Sequence, residues 1–215
     1  DLERAGLLIE SLAKHWRDSR PFELLIVAPA WDAHLLRTSL PRFPNIDVSV
    51  RPESDFFSPL SGFYQMTGWY RQQIVKLQVP VLMGFQGYLT LDSDVCCVGD
   101  FDSRTFIMDR RGLSRWEPKR HHEWWRNVTD VVGSTYDAKG HGLSVTPNLL
   151  HADLSAQVLD HMGKSWGGTL VSLMSWKLRR PVAVPWTEYS LYTSVAELKG
   201  NLFDYHVEWN TCYAA

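Results

Sequence analysis

The run Phe22-Glu23-Leu24-Leu25-Ile26-Val27-Ala28, closed by Pro21 and Pro29, constrains the fold more than any other feature of the chain. An apolar run this short, bounded by prolines, reads as a strand. Its near-continuous apolarity suits a parallel sheet covered on both faces. The flanking sequence supplies helices on either side. Leu2, Ala5, Leu8, Ile9, Leu12 and Trp16 recur at helical spacing, with Asp1 placed as a cap. Trp31 to Arg37 reads as a short helix, and Ile46 to Val50 as a second strand entered through Pro44-Asn45. Thr67 is placed to cap a helix from Gly68 to about Met83, disturbed at Pro80. Gln86-Gly87 then turns the chain into the strand Tyr88-Leu89-Thr90-Leu91, and Val95 to Val98 continues extended. This alternation predicts an α/β sandwich.

Beyond Asp109 the pattern becomes mostly helical. Helices are expected at His121 to Val132, from Thr146-Pro147 onward, at Leu154 to Met162, at Thr169 to Leu178, and at Thr187 to Leu198 with Gly200 as the stop. Phe203 to Trp209 reads as a final extended segment. No repeat or linker interrupts the chain, so residues 1–215 are read as one domain. Its 22 basic and 24 acidic side chains leave no excess to neutralise phosphates, which argues against nucleic acid as a partner. Cys96, Cys97 and Cys212 imply no disulfide framework, and are read as buried thiols in a reducing compartment. The charge-free stretch Gln78 to Leu91 is too short to span a bilayer, so no transmembrane segment is expected. The location expected is cytoplasmic, or peripheral to the inner membrane. The 10 Trp residues either fill a core or line a site for flat or ring-shaped ligands.

Asp92 and Asp94 follow directly on a buried strand. In an extended segment, residues i and i+2 point to the same side. Two carboxylates so placed can converge on one hard cation, and Mg2+ or Mn2+ prefers oxygen ligands. Open α/β sheets bind ligands beyond the carboxyl ends of their strands. The alternative is a helix cap or a turn. A second pair of the same spacing, Asp100-Phe101-Asp102, is read as a turn with solvated carboxylates.

An ordered set of motifs carries a resemblance. Gly68-Trp69-Tyr70-Arg71-Gln72-Gln73-Ile74-Val75-Lys76-Leu77 is followed by Tyr88-Leu89-Thr90-Leu91-Asp92-Ser93-Asp94. His121 with Glu123-Trp124-Trp125, Val145-Thr146-Pro147-Asn148-Leu149-Leu150, Trp176 with Leu178, and Thr187-Glu188-Tyr189-Ser190-Leu191-Tyr192 come after in order. Together they resemble a bacterial family of GT-A-like glycosyltransferases of largely uncharacterised specificity (DUF6492-like). The resemblance implies a GT-A-like, Rossmann-like three-layer sandwich with a mostly parallel central sheet. Residues 1–109 would form the nucleotide-sugar half and residues 110–215 the acceptor half. GT-A folds normally open on a strand that grips the nucleotide base, and this chain starts in the helix that should follow, so the first strand is expected to be missing.

The resemblance further implies transfer of a sugar from a nucleotide-diphosphate donor to a glycan or small-molecule acceptor, with Mn2+ or Mg2+ as cofactor. Asp94 would bind the metal directly, Asp92 through water or at the ribose hydroxyls, and His206 would be the third ligand. For His206 a strand histidine satisfied by the backbone is an equal alternative. Arg71 would face donor oxygens, the alternative being a solvated arginine. Lys76, five residues on, faces elsewhere on a helix, so both are not expected on one ligand. Gln72 offers an amide to hydroxyls, and Trp69 could stack on a ring. Glu188 would be the base or would stabilise an oxocarbenium-like state, although as the first residue after the cap Thr187 it is already favoured by the helix dipole. Tyr189 would flank the acceptor, and His121 would line its pocket or be a surface histidine at a helix start. A carbohydrate-binding module that has lost catalysis is the competing reading, and a nucleotidyltransferase ranks lower, for want of a glycine-rich phosphate loop.

Overall fold

The computed structural model describes residues 2–121, 123–143, 146–166, 169 and 186–208. The chain is a mixed α/β protein of helices and small sheets. It divides into two compact units, residues 1–58 with 91–105, and residues 59–90 with 106–215.

In the first unit, helix α1 (Leu2–His15) leads to strand β1 (Phe22–Ala28), helix α2 (Ala30–Ser39) and strand β2 (Ile46–Pro52). β1 and β2 pair in parallel, Phe22 opposite Ile46 through Ala28 opposite Pro52. A parallel neighbour needs a crossover, and α2 provides it. Ala5 of α1, Ala28, Ala33, Leu36 and Val50 form one buried cluster. With two strands in its sheet, β1 is only half-buried along most of its length, not enclosed on both faces as its composition suggested. Segment 91–105 is anchored to the end of α1 by amide bonds. Phe101 donates to the His15 carbonyl at 3.0 Å, and Arg17 donates to the Phe101 carbonyl at 3.0 Å. The Phe101 ring then completes an aromatic trio with Trp16 (5.2 Å) and Phe22 (5.8 Å).

The second unit begins with 3-10 turns at Pro59–Ser61 and Phe63–Gln65, and then helix α3 (Gly68–Leu82). Thr67 has an extended backbone there but makes no side-chain capping bond. At the other end Gly84, at φ 70°, lets Phe85 N–H reach the Pro80 carbonyl and Gly84 N–H reach the Val81 carbonyl. That pair of bonds is a Schellman stop. Strand β3 (Gly87–Thr90) pairs antiparallel with β8 (Asn148–His151). β4 (Ile107–Met108), β5 (Arg111–Ser114) and β9 (His206–Glu208) form a three-stranded sheet, and β6 (Trp116–Pro118) pairs with β7 (His141–Leu143). Among the described residues the sheets are therefore short and mostly antiparallel, and no central parallel sheet unites them.

Among the described residues the unit also holds helices α4 (Trp124–Val132), α5 (Ala152–Trp166), α6 (Glu188–Lys199) and α7 (Leu202–Tyr205). α6 is buried on every face from Glu188 to Ala196, packed by α3, α4 and α5. Ser190, Thr193 and Ser194 keep its girth small enough for three neighbours. Thr187 and Ser190 close a reciprocal cap at its start, the Thr187 hydroxyl accepting from Ser190 N–H at 3.1 Å and Thr187 N–H donating to the Ser190 hydroxyl at 3.0 Å.

Several expectations need correction. Thr146-Pro147 does not open a helix: the peptide is cis and the chain enters β8. Phe203 to Tyr205 is helical, and the strand begins at His206. Cys96 is exposed and Cys97 half-buried, so neither is a core thiol. Trp125 and Trp186 are core side chains. Trp16 is core, as its spacing suggested. The helix at Thr169 to Leu178, the Asp1 cap, Trp176, Trp209 and Cys212 lie outside the described residues, Thr169 itself excepted.

Candidate functional sites

Asp92 and Asp94 belong to the first unit. β3 stops at Thr90, and Ser93 and Asp94 form a turn in which Val95 N–H approaches the Asp92 carbonyl at 3.4 Å. The segment is not extended, so alternation along a strand is not what sets the direction of these two carboxylates. Asp92 is half-buried, whereas Ser93 and Asp94 are exposed. Asp100 and Asp102 are more engaged than solvated turn carboxylates. Asp100 accepts from Arg17 at 2.6 Å and meets His15 Nδ1 at 3.0 Å, which holds its carboxyl at about 2. Asp102 caps its own turn, accepting from Arg104 N–H, Thr105 N–H and the Thr105 hydroxyl. Among the described residues no three His, Cys, Asp or Glu side chains gather as a ready-made cation cage.

The second unit holds a different constellation, where α3 meets the head of α6. Lys76 Nζ donates to Glu188 Oε1 at 2.7 Å, with both side chains almost wholly buried. One turn earlier on α3, the Gln73 side-chain carbonyl accepts from Glu188 N–H at 2.9 Å, satisfying one of the amides that α6 leaves open at its start. Tyr189, next along, passes under the same lysine, whose Nζ lies 5.7 Å from the ring centre. Its hydroxyl meets Thr90 Oγ1 at 2.6 Å. Because Thr90 Oγ1 donates to the Asn148 carbonyl at 3.1 Å, Tyr189 is the donor to Thr90. Burial and the neighbouring Glu188 charge push the Tyr189 phenol up to about 12. Lys76, Glu188 and Tyr189 thus converge on one another inside the fold.

His206 is not a metal ligand in this arrangement. It is fully buried, with Nδ1 2.8 Å from Ser114 Oγ and Nε2 2.9 Å from Tyr192 Oη. The Tyr192 hydroxyl also accepts from His151 N–H at 3.0 Å. Both ring nitrogens of His206 are therefore taken up within the fold, whichever carries the proton, and neither is open to a cation in this arrangement. Burial, with the nearby His151 ring a smaller cause, lowers its pKa to about 3.

The remaining candidates divide by exposure. Trp69 and Gln72 are exposed one turn apart on α3. Arg71 is half-buried, its guanidinium 5.8 Å from the Phe63 ring centre. His121 ends a 3-10 turn, Lys119–His121, and its side chain lies outside the described residues. The sequence offered no signal for the Lys76–Glu188 pair, whose members stand 112 positions apart. Nor did it mark Gln73 as a cap for a distant helix.

No helix among the described residues is long and apolar enough to cross a membrane. No curated protein matches the chain. A family model does match, over residues 1–215, and it describes a family of unknown function; the chain belongs to that family, DUF6492.

Proposed function

We propose that the chain is a metal-dependent glycosyltransferase domain of GT-A-like type that takes a nucleotide-diphosphate sugar as donor. The observation that carries the reading is the Asp92-Ser93-Asp94 turn, which ends a strand and presents one half-buried and one exposed carboxylate. The donor set is oxygen only, which suits Mg2+ or Mn2+. Two carboxylates do not fill six positions, and such ions are commonly completed by substrate phosphates and water. A bound ion would neutralise charge developing on the diphosphate leaving group. The ordered motifs from Gly68 to Tyr192, and the parallel β1–α2–β2 arrangement, support the same reading.

The chain's own residues take different parts in this proposal than the motifs alone implied. Asp94 and Asp92 hold the cation. Trp69 and Gln72 are accessible to a sugar, and Arg71 sits between them on α3. Glu188 holds the α3–α6 junction through Lys76, which gives it a positioning role and not a place on the reacting sugar. The acceptor's proton is therefore not assigned to Glu188.

Turnover of nucleotide sugars with and without Mn2+ tests the reading. Asp94→Asn is expected to remove metal-dependent turnover with an unchanged melting temperature, and full activity in that variant would refute it. The burial of Glu188 favours one competitor, a carbohydrate-binding module without catalysis. Calorimetry separates the two: glycan binding with no response to any nucleotide sugar, with or without Mn2+, identifies the module.

A further inference from the structure

The stretch Pro59 to Tyr70 carries no charged side chain, yet it holds Phe63, Tyr64, Trp69 and Tyr70 together with Ser61, Gln65 and Thr67. Leu60, Tyr64 and Trp69 are exposed, Trp69 at 44%. Tyr70 meets the Trp69 indole edge-on at 4.9 Å and 78°, which braces the ring. The Trp69 carbonyl is held in turn by the Gln73 amide at 3.4 Å. Gln72, three residues on and on the same side of the helix, is exposed beside it.

We propose that this braced indole, flanked by the Gln72 amide, is a docking platform for a neutral saccharide. The inference rests on the transferase reading and names the acceptor class that reading leaves open. The chemistry is complementary in three respects. The electron-rich face of an indole attracts the slightly positive C–H bonds on one face of a pyranose. A neutral amide donates to and accepts from hydroxyls without demanding charge in return. No charged side chain occurs from Pro59 to Tyr70, and the neighbouring cation, Arg71, is half-buried with its guanidinium 5.8 Å from the Phe63 ring centre, so the exposed groups of the platform are the neutral indole and amide. A second exposed indole gives an internal control. Trp31, 83% exposed on α2 in the first unit, stands beside the charged Asp32.

The test is indole fluorescence and ¹H–¹⁵N spectra of the whole chain, titrated with neutral gluco-, galacto- and manno-oligosaccharides. Neutral phosphatidylcholine vesicles are the comparison. At least one oligosaccharide series is expected to shift the Trp69 indole signal. Trp69→Ala should weaken that binding about tenfold or more, Trp69→Phe should weaken it less, and Trp31→Ala should leave it unchanged. Circular dichroism confirms that each variant is folded. The proposal is overturned if no series binds, if Trp69→Ala binds like the wild type, or if vesicles shift the signal and sugars do not. Nucleotide-sugar turnover is measured separately. Loss of that activity with oligosaccharide binding intact removes the transferase reading and leaves the platform standing.

Discussion

Asp94 lies exposed in a turn of the first unit, while Glu188 lies buried at the head of α6 with Lys76 2.7 Å away. The two carboxylates are the same chemical group in opposite surroundings. In water a carboxylate is cheap to leave uncommitted, so Asp94 can be given over to a ligand. In the interior a lone charge costs several kcal/mol, so Glu188 must be committed to a cation and to the helix it starts. The general lesson is that an acidic residue inside a motif is not thereby available for chemistry. Burial decides whether its negative charge belongs to the substrate or to the fold.

Four experiments sharpen or break this comparison. The largest effect is expected for Lys76→Met, which removes the cation 2.7 Å from the buried Glu188 carboxylate; denaturant unfolding should show a loss of about 3–5 kcal/mol. Adding Glu188→Gln to that variant should restore much of the loss, because a buried charge, and not a missing contact, is the cause. A loss under about 1 kcal/mol in the single variant would show that Glu188 is solvated and available after all.

Acid is the next lever. His206 has a folded pKa of about 3, below the ordinary imidazole value of 6.5. The unfolded chain therefore gains a proton that the folded chain refuses, and stability present above pH 6.5 drains away between there and pH 3. By pH 4.5 the loss amounts to about 2–3 kcal/mol. A melting-temperature profile from pH 7 to 4 should flatten in His206→Gln, compared with the parent chain. An equally steep profile in that variant would return the effect to other groups.

Thr187→Ala opens the reciprocal cap at the start of α6 and should cost about 1 kcal/mol. The smallest effect belongs to Asp94→Asn, expected within about 0.5 kcal/mol of the parent, since an exposed turn carboxylate contributes little to stability. A large destabilisation by Asp94→Asn would place that residue on the structural side of the comparison, along with Glu188.

Local elements were largely legible. Phe22 to Ala28 is a strand over the span its flanking prolines mark, and α3 runs from Gly68 almost to the expected end. Local rules fail where the deciding partner is distant. Thr146-Pro147 has the composition of a helix start, but Asn148 to His151 pairs with β3, and that pairing overrides it. The candidate site shows the same limit more sharply. Motif membership singled out Asp92, Asp94, Trp69, Lys76, Glu188 and Tyr189 together, and could not tell the accessible from the enclosed.

By itself the sequence determined the strand and helix order of residues 2–83 and the spacing of the acidic pair. These depend on neighbours within a turn or a strand. Only the tertiary structure decided that His206 gives both nitrogens to Ser114 and Tyr192, that Gln73 caps a helix beginning at Glu188, and that Lys76 neutralises that residue. The physical reason is separation along the chain. The bonds across β3, α3 and α6 join positions 99 to 115 apart. No local pattern encodes a pairing at that range. It is imposed when apolar burial packs the elements together and every polar group caught between them has to find a partner.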